Sequence, residues 1–465
     1  MRVLAKDIKQ AAEGRSEAVE VAGWVHRIRE LGGVTFVILR DRSGLVQLVL
    51  SELSDVLPSR GSSPLSGESS GLPGSGGVKK GDLTLESVVR AWGVPALNEK
   101  APGGAELKVS SLEYISRAAG DLPYQVNGDV SKIGLEAILD NRALSLRNPK
   151  IRAIFKVQAV IIEAFSSYLR GEDFTEIKTS KLVGGGTEGG AELFEVEYFD
   201  KKLCLAQSPQ IYKQIMVASG LERVFEVAPA YRAEKHDTPR HLNEYISLDV
   251  EMGFIESEKD LITLEKGLLA HVFQEVARKN GPELELWNAR VPGAGEVLKA
   301  PIVPYEEALK IANAEAARGK GPGGPKGGAD RLFDINPEAE RFLCEWAGRE
   351  MGTELVFINE FPRRYRPFYT YPLDASRTMS FDALFRGLEI TTGGRRQHDY
   401  NALLEALPKF GLKEEDIAGY RVFKYGCPPH GGFAIGCERL TQKILGLANI
   451  KEASLFPRDR KRTEP

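Results

Sequence analysis

The sequence has no run of about 18 consecutive apolar residues, the least that a membrane-spanning helix needs, so no span is expected. Its first residues, MRVLAKDIKQAAEGR, lack the apolar stretch of a secretory signal. Only four cysteines occur (Cys204, Cys344, Cys427, Cys437), and no two have CxxC spacing. That leaves no readable disulfide framework or zinc knuckle. These absences point to a cytoplasmic protein with reduced thiols. Charge of one sign is lacking too: 62 Lys+Arg stand against 65 Asp+Glu, a net −3. Such a balance neither demands nor excludes a nucleic-acid partner, because a basic face is easily hidden in the sum. No repeat with a period of roughly 20–50 residues is visible.

What is present is ordinary globular material. Of 465 residues, 42% are hydrophobic and 27% charged, which argues against a disordered or fibrous chain. At roughly 150 residues per domain, two or three domains are expected. Two stretches stand apart. From Pro58 to Gly77, 16 of 20 residues are Gly, Ser or Pro, and 319–328 holds six Gly, two Pro and two Lys. Chain of that composition loses too much backbone entropy, and buries too little, to order itself. Both read as solvated, flexible insertions.

The first 110 or so residues read as all-β. Val19–Arg29, Val34–Arg40 and Leu45–Leu50 are rich in β-branched and aromatic residues, with Gly32-Gly33 and Ser43-Gly44 at the turns. Two further runs, Thr84–Trp92 and Glu106–Leu112, bring the count to five, which fits a small closed barrel of the OB type. Trp24 is assigned to its core. Ser111–Ala143 reads as a connector. Beyond Asn148 the pattern mixes: Ile151–Leu169, Gln207–Gly220 and Ser257–Lys279 read as helices. Val224–Tyr231, Tyr245–Phe254, Glu354–Asn359, Phe385–Thr391 and Gly431–Ile435 read as strands. Segregated strands and helices predict an α+β domain with a mostly antiparallel sheet flanked by helices.

The densest chemistry lies in Arg223–Phe254, a strand, a charged loop (AEKHDTPRHLNE) and a returning strand. Arg232 closes the first strand, with Glu234 on the same face, and a guanidinium fixed there can grip a phosphate bidentately. Near the C-terminus, Gly431-Gly432 and Gly436 allow a backbone to approach a ligand closely, and Arg439 projects from the first turn of a helix. Taken alone, each is also what a solvated hairpin or a tight turn offers.

Together they resemble a known family. Arg232 with Glu234 resembles the RxE core of motif 2 in class II aminoacyl-tRNA synthetases, and Gly436-Cys437-Glu438-Arg439 is similar to their motif 3. Thr187–Phe194 (TEGGAELF), Gln207–Gln214 (QSPQIYKQ), Arg240–Glu244 (RHLNE), Arg386–Gly394 (RGLEITTGG) and Leu455–Arg462 (LFPRDRKR) resemble the aspartyl-tRNA synthetases of archaeal and eukaryotic type, subclass b. The likeness runs over nearly the whole chain. It implies an OB-fold anticodon-binding domain over 1–112, a hinge over 113–147 and a class II catalytic domain over 148–465, without the inserted domain of the bacterial type.

The implied activity has two steps. Aspartate attacks the α-phosphate of ATP to give aspartyl-adenylate and pyrophosphate, and the acyl group then passes to tRNA. Carried over by position, Arg232 holds the α-phosphate, Glu234 reads the adenine amino group, and Tyr245 and Arg439 stack on its two faces. His241 and His236 reach the ATP phosphates. Asp382 and Glu389, with Thr392 standing where the family often has Ser, coordinate Mg²⁺. Lys213 and Arg396 meet the side-chain carboxylate of aspartate, Ser208 and Gln210 complete the pocket, and Glu188 in a Gly-rich lid binds the ammonium group. Arg232 and Thr392 also touch the amino acid. Read blind, Lys213 is a surface residue and the Gly-rich loop a plain turn.

In the barrel, Phe36 and Gln47 match positions that stack on and hydrogen-bond the central anticodon base, and Glu106 one that contacts the third. His26 and Pro102 resemble the relaxed form of the family, which charges both the aspartate and the asparagine tRNA. The alternatives are a strictly discriminating enzyme or a tRNA-independent asparagine synthetase paralogue. Motif 1, FTEIKTSKL (Phe174–Leu182), usually builds a homodimer interface, and here carries Ser180 in place of Pro.

Overall fold

The computed structural model describes residues 2–14, 17–50, 83–185, 193–235, 238–318 and 332–464. Both Gly-rich insertions, Glu188 and His236 lie outside the described residues. The chain divides into two units, Met1–Ala137 and Ile138–Pro465.

The first unit is built on β1 (Val19–Leu31), β2 (Val34–Arg40), β3 (Leu45–Leu50), β4 (Val88–Leu97) and β5 (Ala105–Ser116), which close a barrel in the order β1-β2-β3-β5-β4. Alternation sets its inside: Val19, Val21, Val25, Val37, Leu39, Val46 and Leu48 are buried together. A bulge interrupts β1, where Val25 pairs with Leu39 but Arg27 with Ile38, so His26 is an extra residue. The bulge reverses the phase of the strand. Ile28 turns to the core, while Arg27 and Arg29 stay exposed, opposite Ile38 and Phe36.

Three expectations change here. Trp24 is not core: the inward places on β1 go to Val19, Val21 and Val25, and Trp24 lies half-buried on the outer side opposite Arg40. The strand expected from Thr84 starts at Val88, because Glu86 sits in a turn with φ 65°. The last barrel strand passes Leu112 and runs to Ser116, pairing with Val88, so the connector begins later than the sequence suggests.

The second unit carries an eight-stranded sheet, order β12-β13-β14-β15-β16-β11-β10-β6. Its strands are β6 (Thr175–Glu176), β10 (Arg223–Tyr231), β11 (Glu244–Gly253), β12 (Ile302–Pro304), β13 (Leu355–Asn359), β14 (Ser380–Phe385), β15 (Leu388–Arg396) and β16 (His430–Gly436). Only the end pairs β12–β13 and β10–β6 are parallel. A separate small sheet joins β7 (Leu182–Val183), β9 (Lys201–Leu205) and β8 (Glu195–Tyr198). Ser180 Oγ donates to Leu182 O at 2.9 Å.

The helices Pro149–Gly171 and Glu258–Lys279 cover one face of the large sheet. Asn148 caps the first through Lys150 N, with Pro149 in the first turn, and Ser257 with Asp260 forms a capping box on the second. Ile154, Phe165, Leu268 and Phe273 pack with Leu248, Val250, Phe381 and Phe433 of the strands. The helix after QSPQ is shorter than expected, Gln210–Met216, followed by a wider turn Val217–Leu221. The run Phe385–Thr391, expected as one strand, is a hairpin corner. Arg386 and Gly387 have φ 49° and 73°, so the chain reverses between β14 and β15. Arg386 is fastened there by bonds to Lys443 O and Arg290 O, both 2.8 Å. No described helix is long and apolar enough to cross a membrane.

Candidate active site and nucleic-acid face

The sheet face opposite those helices holds a cavity of about 300 Å³. β11 supplies its floor by alternation: Tyr245, Ser247 and Asp249 line the cavity, Glu251 follows in phase, and Leu248 and Val250 point into the core.

At one end Arg232 leaves β10 and its guanidinium lies 5.7 Å from the Tyr245 ring. Asn243 holds the loop, donating to Arg232 O (2.7 Å) and Glu234 O (3.1 Å). His241 Nε2 is 3.6 Å from Glu234 Oε2, and its Nδ1 is 2.6 Å from Thr238 Oγ1. Arg439, in the first turn of the helix Cys437–Leu445, donates to Glu389 O at 2.9 Å and Glu389 Oε1 at 3.2 Å. Thr392 Oγ1 donates to the same carboxylate oxygen at 3.3 Å. Glu340 accepts from Arg240 and from Glu389 N, tying the loop to the β15 edge. Glu438 takes Ile246 N with both oxygens, 3.1 Å each, and burial pushes its pKa up to about 7.

At the other end sits a buried charge network. Arg396 donates to Glu251 Oε1 (3.0 Å), Gln210 Oε1 (3.2 Å) and Gly432 O (2.9 Å). Lys213 Nζ reaches Asp249 Oδ1 at 2.8 Å and Glu251 Oε2 at 3.5 Å. Burial alone would raise the Glu251 pKa, but Arg396 and Lys213 hold it below the usual range. Two cations and two carboxylates thus balance before any ligand arrives. Gly432 is required by this network: a Cβ there would lie 2.2 Å from Glu251 Oε2 and 2.0 Å from Val250 O. The close approach expected of Gly431-Gly432 toward a ligand is therefore an approach to the protein's own strands.

Ser208, Gln210, Arg232, Glu234, His241, Tyr245, Glu389, Thr392, Arg396 and Arg439 all border the cavity. Two expected residues do not. Lys213 is fully buried behind Asp249. Asp382, opposite Thr392 across β14–β15, has Oδ2 taken by Arg366 at 2.8 Å. Burial lifts the Asp382 pKa to about 6 against the pull of Arg366. Among the described residues no group of three or more His, Cys, Asp or Glu side chains could hold a metal alone. Glu389 with the Thr392 hydroxyl offers hard oxygens at the cavity wall, a set that suits Mg²⁺ shared with phosphate oxygens.

The family model for class II tRNA synthetases (D, K and N) matches residues 134–460, and that for OB-fold nucleic acid binding domains matches 19–115. The chain belongs to the class II tRNA synthetases. It is 45% identical, over all of both chains, to a Thermus thermophilus protein named aspartate–tRNA(Asp/Asn) ligase. It is 38% identical, over 97% of each chain, to a Pyrococcus furiosus protein named aspartate–tRNA(Asp) ligase. Among solved structures, the asparaginyl-tRNA synthetase of Pyrococcus horikoshii with asparaginyl-adenylate superposes with a TM-score of 0.84 at 28% identity, covering all of both chains.

In this synthetase the barrel carries a second constellation. Phe36, Gln47 and Glu106 share the outer face of β2, β3 and β5. Gln47 Nε2 donates to Glu106 Oε2 at 2.9 Å, and so does Asn98 Nδ2 at 2.6 Å. Pro102 lies in the turn Pro102–Gly104 before β5, closed by Asn98 N to Gly104 O at 3.0 Å. His26 stands at the β1 bulge, 2.9 Å from Arg40 Nη1.

Sequence reasoning assigned no role to Arg240 and Glu438, although both lie in the quoted motifs, and did not single out Asp249, Arg366 or Asn98. Asp249 had a signal, the polar alternation Tyr245, Ser247, Asp249, Glu251 on one strand face. Arg366 had none, since it reaches the cavity from a loop, against the Phe361 ring at 3.8 Å.

Proposed function

We propose that this synthetase attaches aspartate to tRNA through aspartyl-adenylate, and that it charges both the aspartate and the asparagine tRNA. The observation that carries the amino-acid choice is Arg396. Its buried guanidinium borders the cavity on a rigid strand, held by Glu251, Gln210 and Gly432. A fixed, desolvated cation favours a substrate side chain with a carboxylate over one with an amide. Lys213 acts from behind Asp249, offsetting the negative charge that Asp249 brings to the same floor. Ser208 and Gln210 bound the amino-acid end, and Glu188 would meet the ammonium group.

At the ATP end, Arg232 binds the α-phosphate and stabilises the charge that develops as the aspartate carboxylate attacks. Glu234 accepts from the adenine amino group, Tyr245 and Arg439 flank the ring, and His241 lies within reach of phosphate oxygens. Glu389 and Thr392 would hold Mg²⁺, with Asp382 as the neighbouring carboxylate. When bound, such an ion would neutralise phosphate charge. No side-chain nucleophile is needed, because the chemistry rests on placement and charge.

In the barrel, Phe36 stacks on and Gln47 hydrogen-bonds the central anticodon base, and Glu106 meets the third. His26 and Pro102 support the relaxed tRNA scope, as does the name of the 45%-identical relative. A homodimer through the Phe174–Leu182 segment and a cytoplasmic location belong to the same reading, supported by family membership. Aspartate charging of separate transcripts of the two tRNAs tests it. Comparable charging of both is the expected outcome, and charging of the aspartate tRNA alone would restrict the scope. No charging of either would overturn the reading.

A further inference from the structure

His26 is held more firmly than a strand residue needs. It is the extra residue of the β1 bulge, and Asn127 Nδ2 donates to its backbone oxygen at 2.7 Å. Arg40 Nη1 lies 2.9 Å from its ring Nδ1. Arg40 is itself immobilised, with its side chain 1% exposed and Glu86 accepting at 3.2 and 2.7 Å. A guanidinium has only donors and keeps its proton. The ring nitrogen facing it must therefore carry a lone pair, which puts the proton of the neutral ring on Nε2. His26 Nε2 has no partner among the described residues, and it is not among the enclosed polar atoms that lack one, so it faces outward. Burial together with Arg40 and Arg27 favours the neutral ring, and Glu86 opposes them.

We propose that Arg40 is a positioning residue that fixes His26 as a neutral Nε2–H donor on the barrel, and that this donor serves the 2-carbonyl oxygen of a pyrimidine base. The second half rests on the relaxed tRNA scope proposed above. The two anticodons end in C and in U. Those bases differ at the 4-position, an amino donor in one and a carbonyl acceptor in the other. A fixed donor aimed there would take U and refuse C. Aimed at the 2-carbonyl, it meets the same atom in both and cannot tell them apart. His26 therefore contributes no discrimination of its own, because it is locked into one hydrogen-bonding sense.

The lock is read directly by long-range ¹H–¹⁵N correlation of the full-length protein labelled with ¹⁵N-histidine. The His26 signal is assigned as the one missing from His26→Gln. Nε2 protonated and Nδ1 bare near neutral pH is the expected result, and a proton on Nδ1 or on both nitrogens overturns the lock. In the double variant Arg40→Met/Glu86→Met, which leaves no orphaned buried charge, His26 should become a tautomer mixture. A tautomer still fixed there would take the role away from Arg40. For the base contact, kcat/KM for charging is compared on transcripts ending the anticodon in C and in U. His26→Phe should lower both by the same factor, about 10-fold, through KM. His26→Gln, which keeps an amide donor, should recover most of the loss. A changed ratio between the transcripts, or no recovery, overturns the shared-carbonyl contact. If the unaltered protein charges only one transcript, the relaxed scope and the shared carbonyl both fall, while the Arg40 lock is judged by the NMR result alone.

Discussion

The cavity of the catalytic unit and the outer face of the barrel use polar side chains in different ways. In the cavity nearly every functional side chain is held by a second one: Arg396 by Glu251 and Gln210, Arg439 by Glu389, Arg240 by Glu340. On the barrel, Phe36 stands half-exposed on an open strand face, and Gln47 and Glu106 bond mainly to each other and Asn98. The contrast suits the proposed tasks. Charge stabilisation needs donors that do not reorganise, so they are fixed in advance. Stacking on a base needs an accessible ring and tolerates motion. Single substitutions should therefore act steeply in the cavity and shallowly on the barrel.

The largest effect is expected at Arg232. Arg232→Ala should lower aspartate-dependent pyrophosphate exchange by about 1,000-fold or more. Exchange that persisted would mean that the α-phosphate is held elsewhere. Arg396→Gln comes next. It should raise the KM for aspartate by about 100-fold. It also leaves Glu251 buried without its main partner, a loss of about 3–5 kcal/mol on denaturant unfolding. A weakened KM with unchanged stability would show that the network is looser than its geometry implies. Phe36→Leu should raise the KM for tRNA by about 10-fold, in line with a stacking loss of about 1–3 kcal/mol, and leave exchange without tRNA unaltered. An equal loss in both assays would break the comparison.

The smallest effect concerns Glu265, fully buried under β15 and accepting from Thr391 Oγ1 at 2.6 Å. Burial pushes its pKa up to about 8. Between about pH 5 and 8 the folded protein keeps a proton there that the unfolded chain has released, so stability falls as pH rises through that window. Glu265→Gln, which mimics the protonated form, should flatten this slope in thermal unfolding. An unchanged slope would mean that another group titrates.

Much of this was legible in the sequence, for physical reasons. Alternating β-branched runs marked the barrel strands, and period 3.6 marked the two long helices. Arg232 and Arg439 stood out at a strand end and a helix start, but their roles, and those of Glu234, His241 and Tyr245, came from the resemblance to the synthetase motifs. What escaped was set by contacts distant in sequence. The corner at Arg386-Gly387 depends on anchors at Arg290, Glu354 and Lys443. The outward turn of Arg27 and Arg29 depends on a one-residue bulge that no composition reveals. Lys213 read as a surface residue when judged alone and is among the most deeply buried charges, because Asp249 and Glu251 lie 36 and 38 residues further on.

The most direct test of the proposed function is pyrophosphate exchange without tRNA, with aspartate and asparagine compared at equal concentrations. A cavity whose floor carries the fixed Arg396 guanidinium should support exchange with aspartate and at least about 100-fold less with asparagine. Equal or faster exchange with asparagine would contradict the account, and would place this chain with the asparaginyl enzymes that share its fold.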